Sequence, residues 1–444
     1  MPLRMRRLLL SAAGLLLGFM ACAAHGATYY VAKSGSDAGP GTMAHPWKTI
    51  GKAAIVLAPG DTVYIRSGTY NERVVPRRSG APGRFISYAA SPGEVVTIDG
   101  RGVNVPQYCG LFDMASKSYI SVSGFRVVNS TDQGIVADGS TGIVIAGNYV
   151  YNTVTSGIAV WASSNVLIAR NEVERACTGI YNECISVGGT DSFEVRGNYV
   201  HNVGNPDKEG ICAKDGSVNG RIYGNRVHDT QLGIYVDAES RPTYNIRIYA
   251  NILYDNGSDG IALGSEAGGL LQNIRVYNNI SYSNFYNGLQ VSAPVLPATP
   301  VKKITIINNT FYGNGKQWGC GIYLENGQAG DVEVRNNICS QNLSSQIGMN
   351  LSKPPANWKI DHNLIDGPTD ICGAFCVKGD PRFVNPADAD FDLRSDSPAI
   401  DKGSSVDAPP TDIRGVPRPQ GAGVDIGAYE YTPHKSAVAP KHGG

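Results

Sequence analysis

The sequence carries no excess of either charge: lysine plus arginine and aspartate plus glutamate each number 38. It therefore has no general basic field to hold a nucleic-acid backbone, and no long block of like charges forms an interaction tail. Nucleic acid is excluded as a partner on that ground. Long apolar runs are missing beyond the N-terminus, so no later segment is suited to span a membrane. Extended stretches with the apolar spacing of an amphipathic helix are also absent, which argues against a helical repeat. No cysteine pair has zinc-finger spacing.

At the N-terminus, Arg4, Arg6 and Arg7 precede an uncharged apolar run from Leu8 to Ala24, with small residues around Ala21 to Ala27. That is the pattern of a secretory leader, and residues 1–26 are assigned to it, with cleavage near Ala27. The mature chain then has a net charge of −3 and is expected in the periplasm or outside the cell. Lipid attachment at Cys22 is the alternative, for which Phe19 is a poor match to the expected leucine. Eight cysteines remain, an even number compatible with disulfides in an exported protein. Cys177 with Cys184 and Cys372 with Cys376 are close enough in sequence to bridge.

What the chain does have is a repeat. Asparagine recurs at positions 148, 171, 198, 225, 251, 279, 309, 337 and 363, at intervals of 23 to 30 residues. Each closes a strand-like run such as NVLIARN (165–171), NIRIYAN (245–251) or NIRVYNN (273–279). A period in this range marks a solenoid. A second element repeats with it: GIVAD (134–138), GIAVW (157–161), CISVG (184–188), GICAK (210–214), GIYVD (233–237), GIALG (260–264), GLQVS (288–292) and GIYLE (321–325). Its second and fourth positions are aliphatic, so period-two alternation turns them to one face and turns positions three and five outward to solvent. Short strands between Gly, Asn and Ser turns predict an all-β right-handed parallel β-helix. Successive turns stack about 4.8 Å apart, and the asparagines are read as a scaffold ladder at one bend.

Open solenoid ends need covers. YYVAKSGSDAGPGT (29–42), PWKTIGKAAIVL (46–57) and PGDTVYIRSGTY (59–70) form an N-terminal segment in which Ile50, Ala53, Ala54 and Leu57 make a short amphipathic helical face. SPAIDKG (397–403) and TDIRGVPRPQGAGVDIGAYEY (411–431) close the other end. These segments resemble the caps of exported proteins in the pectate-lyase-like β-helix superfamily, and the resemblance spans nearly the whole mature chain. The expected organisation is a cap with first turns over 27–105, a core over 106–365, and a C-terminal cap and tail over 366–444. The chain is expected to act as a monomer.

The outward columns form a long ribbon suited to an extended sugar chain. Asp138, Trp161, Tyr235 and Tyr323 are the candidate substrate-binding residues, the rings offering stacking surfaces. The densest ionisable patch lies in DKEG (207–210), AKDG (213–216) and VDAE (236–239), with Glu266 on the next turn and Glu183 approaching from the other side. Lys214 and Asp237 share a column on adjacent turns, so a plain surface ion pair between them is one reading. Polysaccharide lyases on this fold place acids and a Lys or Arg base on the outer sheet face. By that resemblance Lys214, with a lowered pKa, becomes the base of a β-elimination with Asp237 beside it. Asp215, Asp237, Glu239 and Glu209 become candidate calcium ligands that neutralise a uronate carboxylate. The chain lacks the DDG signature of one calcium-dependent pectate lyase group, having SDG at 258–260, and ECISVGG (183–189) has Gly188 and Gly189 where a lysine would stand. Hydrolysis by paired carboxylates and a non-catalytic glycan-binding role are the alternatives. His201 and His228 are expected to stack on neighbouring turns, with a metal pair the weaker reading.

Overall fold

The computed structural model describes residues 26–293 and 300–432. Residues 1–25, which hold most of the expected leader together with Cys22, lie outside the described residues. The chain winds into an all-β parallel solenoid whose walls are two sheets of 13 strands and one of 10. The first sheet runs from Thr28–Val31 to Lys359–Asp361, the second from Gly68–Tyr70 to Val377–Lys378, and the third from Gly110–Asp113 to Ser345–Met349. A helix at Ile50–Val56 covers the N-terminal end, capped by the Thr49 hydroxyl, with Ile50, Ala53 and Ala54 buried. Among the described residues no helix is long and apolar enough to cross a membrane.

Stacking follows the repeat. In the third sheet Ile135, Ile158, Ile185, Ile211, Ile234 and Ile261 lie in register, as do Ala137, Val160, Val187, Ala213, Val236 and Leu263. All twelve are fully buried in one core. Each interior aliphatic side chain withdrawn from water contributes roughly 1.5–3 kcal/mol, which is why the columns tolerate so little variety.

The asparagine ladder sits at the bend between the first and second sheets. Asn225 Oδ1 accepts from both the backbone N–H and the side-chain amide of Asn198, at 2.9 and 3.0 Å. Its own amide donates to the Val195 carbonyl and to Asn251. The pattern repeats through Asn363, and every rung is buried. An aspartate in these places would supply no donor for the carbonyl below.

Two expectations need correction. Position three of the repeat leaves the core but does not meet solvent over most of its length: Val136, Ala159, Ser186, Cys212 and Ala262 are all buried. They are small, and larger neighbours cover them; Ser186, for example, donates to the Glu183 carboxylate above it at 2.6 Å. The C-terminal segment does more than close the end. It runs back along the solenoid's flank, where Asn308 donates to the Asp425 carbonyl and Asn336 to that of Ser404. Phe383, Phe391, Ile426 and Ala428 form a second apolar cluster there with Ile280, Ile338 and Leu364. Within it Arg418 and Glu430, both buried, pair at 2.6 Å. Cys372 and Cys376 are bridged, whereas Cys177 and Cys184 are free thiols.

Candidate functional site

The outward face of the third sheet gathers an ionisable group around two aromatic rings. Trp161, Gly188, Lys214 and Asp237 are consecutive register partners. A methyl group on Gly188 would overlap the Trp161 ring, so this glycine is what lets the indole lie across the next turn. Lys214 then reaches back, its Nζ 5.6 Å from the Trp161 ring centroid. Gly264 similarly leaves room for Tyr235, whose hydroxyl donates to Glu266 at 2.6 Å. The missing lysine at 188 thus has a steric meaning.

Lys214 does not pair with Asp237. Its Nζ donates to Glu183 Oε1 at 2.6 Å, on the opposite side of its own strand. Burial on its own would lower the Lys214 pKa, but the attraction of Glu183 and the hydrogen bond to it prevail, and the pKa is raised. The expectation of a base with a lowered pKa is therefore reversed: Lys214 is a fixed cation. Glu209, half-buried beside this pair, has its pKa raised by burial and by repulsion from Glu183.

Asp237 is the unusual acid. It is 2 % exposed, and its Oδ1 has no hydrogen-bond partner among the described residues. Burial, then repulsion from Glu266 and Glu239, pushes its pKa from 3.8 up to about 7, against the pull of the Glu239 backbone N–H and Lys214. A carboxyl group that titrates near neutrality can take and return a proton under ordinary conditions.

The predicted calcium ligands do not share one coordination sphere. Asp215 has φ 39°, and this turn aims its carboxylate at the Ser240 and Arg241 backbone amides and at the Arg241 guanidinium, 3.1 Å away. Those contacts hold its pKa low despite burial. Glu239 is exposed, and Glu209 lies with Glu183 and Lys214. Calcium needs about six to eight converging oxygens. Among the described residues the group of three or more ligand-type side chains that does converge, within 4.8 Å, is Glu172, Glu174 and His201 on the second sheet.

The substrate-binding candidates are spread along the ribbon. Asp138 is exposed three turns before Lys214, about 14 Å away by rung spacing, and Tyr323 lies four turns beyond it, packed edge-on against Trp318. Trp161 and Tyr235 flank the ionisable group itself. His201 and His228 stack at 5.4 Å with Tyr254 beyond. Sequence reasoning missed Arg241, which no column contains.

A solenoid with parallel sheets, an asparagine ladder at one bend and ionisable groups on one outer face defines the class. Residues 29–228 match the family described as "Pel9A-like, right handed beta helix region", and 182–294 match "Right handed beta helix region". Over residues 29–294 the chain is similar to these right-handed β-helix families, and it shares their fold. The uncharacterized protein YwoF of Bacillus subtilis (strain 168) is 30% identical over 297 residues, which cover 53% of this chain and 64% of that one. Pectate lyase Pel9A superposes with a TM-score of 0.60 at 18% identity, covering 91% of this chain and 96% of its own. XylC, solved in complex with xylose, gives 0.58 at 15% identity, covering 90% and 98%. The tailspike protein of E. coli bacteriophage HK620 gives 0.53 at 12% identity, covering 72% and 60%. At these identities the structural likeness establishes the fold.

Proposed function

We propose that this protein is an exported polysaccharide lyase that cleaves a uronate-containing polymer on the outer face of the third sheet. The observation that carries the reading is the register of a fixed cation, Lys214, next to a carboxyl group titrating near neutrality, Asp237, on adjacent turns. An ammonium has three donors and Glu183 takes one, so a uronate carboxylate can be held by the others. Neutralising that carboxylate acidifies the adjacent C5–H. Asp237 in its ionised form removes this proton, a step that requires the side chains covering its carboxylate to part when the polymer binds. The C5 electron pair forms the C4–C5 double bond, the C4–O4 bond breaks, and the leaving oxygen takes the proton back from Asp237. The proton count closes with one titrating group. Trp161 and Tyr235 supply flat surfaces beside it.

Hydrolysis has one observation in its favour: Glu266 and Glu239 lie close enough to Asp237 to raise its pKa, so a carboxyl pair is available. Incubation with pectate, alginate and glycosaminoglycans separates the readings. Elimination yields unsaturated uronate ends with ultraviolet absorbance, and hydrolysis yields reducing ends without it. Binding with no product from any polymer would leave a glycan-binding surface protein and defeat the enzyme reading.

A further inference from the structure

The sequence repeats a second polar pattern that the third-sheet site leaves unused. RIYGN (221–225), NIRIYAN (245–251) and NIRVYNN (273–279) place an arginine and a tyrosine at the same register on three successive turns of the first sheet. Arg221, Arg247 and Arg275 therefore stand one above another at about 4.8 Å per turn. Tyr223, Tyr249 and Tyr277 form a parallel stack beside them, with centroids 4.7 and 4.8 Å apart. On the other side Asn219, Asn245 and Asn273 make an exposed amide ladder, joined at 2.9 and 2.7 Å.

Like charges on adjacent strands disfavour the fold unless something answers them. Glu194 pairs with Arg221 at 3.2 Å. Among the described residues Arg247 and Arg275 have no carboxylate partner. Arg275 instead donates to the backbone carbonyl of Asp407, which fixes the returning C-terminal segment as a wall. Between that wall, Asp407 to Pro410, and the arginine and asparagine columns with Tyr277 lies a cleft of about 870 Å³. Its lining sets three guanidinium groups against one carboxylate, Asp407.

We propose that this cleft is a second carbohydrate site, which holds a stretch of anionic sugar chain away from the cleaving face. The rung spacing is close to the length one pyranose adds to an extended chain, so successive uronate carboxylates can meet successive arginines. Arg247 offers an unengaged planar fork to a carboxylate, Arg221 and Arg275 offer the donors that Glu194 and the Asp407 carbonyl leave free, and the exposed asparagine ladder supplies polar partners for the hydroxyls. A site of this kind keeps a long polymer attached between cuts. The ligand class follows the lyase reading, but the binding itself does not depend on turnover.

The test uses the full chain carrying Asp237→Asn to stop turnover, titrated calorimetrically with a galacturonate oligomer at low salt. Adding Arg247→Ala and Arg275→Ala is expected to remove one binding event or weaken it by about tenfold or more. Adding Lys48→Ala and Lys402→Ala removes the same charge elsewhere and is expected to change nothing. Arg247→Lys with Arg275→Lys keeps the charge and loses the fork; it serves if the alanine form fails to fold, and an intermediate affinity is expected. Undiminished binding in both arginine variants, an equal loss in the lysine control, or equal binding of a neutral xylan oligomer overturns the proposal. So does tighter binding of an oligonucleotide of matched charge. Arginine-dependent binding by a protein that cleaves no polymer sustains the cleft and defeats only the lyase reading.

Discussion

Asparagine at position 237 should make the protein more stable, and only above a particular pH. Asp237 has a folded-state pKa of about 7 against an ordinary 3.8. A raised folded pKa means that the native protein holds the proton while the unfolded chain releases it. The wild type therefore suffers no penalty below about pH 4, loses stability as the pH rises, and levels off above about pH 7. Three units at about 1.36 kcal/mol each give a ceiling of about 4 kcal/mol. Asp237→Asn removes the charge from a buried carboxyl group whose Oδ1 has no hydrogen-bond partner among the described residues. Denaturant melts of both forms, followed by circular dichroism, should nearly coincide at about pH 4 and separate in the variant's favour by about pH 8. A difference that stays constant with pH, or a variant less stable at about pH 8, refutes the assignment of a strained, near-neutral carboxyl group. Stability lost at one buried acid is what a reactive site is expected to show.

Gly188→Ala should displace the Trp161 ring and cost roughly 1–3 kcal/mol, with a shift in tryptophan emission as the readout. Asn225→Ala leaves Asn198 donors and the Val195 carbonyl unsatisfied in the buried ladder, and thermal melts should show a loss of roughly 2–4 kcal/mol. Chelation by EDTA should leave elimination unchanged, because the predicted carboxylates do not converge; an activity restored by calcium alone would contradict that geometry.

The solenoid was legible because a period near 27 residues repeats both the aliphatic pair and the asparagine, and stacking turns that period directly into contacts. Register also placed Lys214 beside Asp237. It could not say which way the lysine turns: Trp161 lying across Gly188 opens a path back to Glu183, a consequence of steric volume on the preceding turns. Asp215 was misread because one left-handed residue at a strand end redirects its carboxylate toward Arg241, and no periodic pattern encodes that turn. The arginine column was visible in the same runs that carry the asparagines. Its cleft was not, since the wall comes from Asp407, 132 residues beyond Arg275.

The most direct measurement is the pH dependence of kcat/KM for release of unsaturated uronate from an accepted polymer. The rate should rise with pH through about 7 as Asp237 ionises, and Asp237→Asn and Lys214→Ala should each abolish it. A profile flat through neutrality, or full elimination activity in either variant, would show that the chemistry does not reside on this face of the coil.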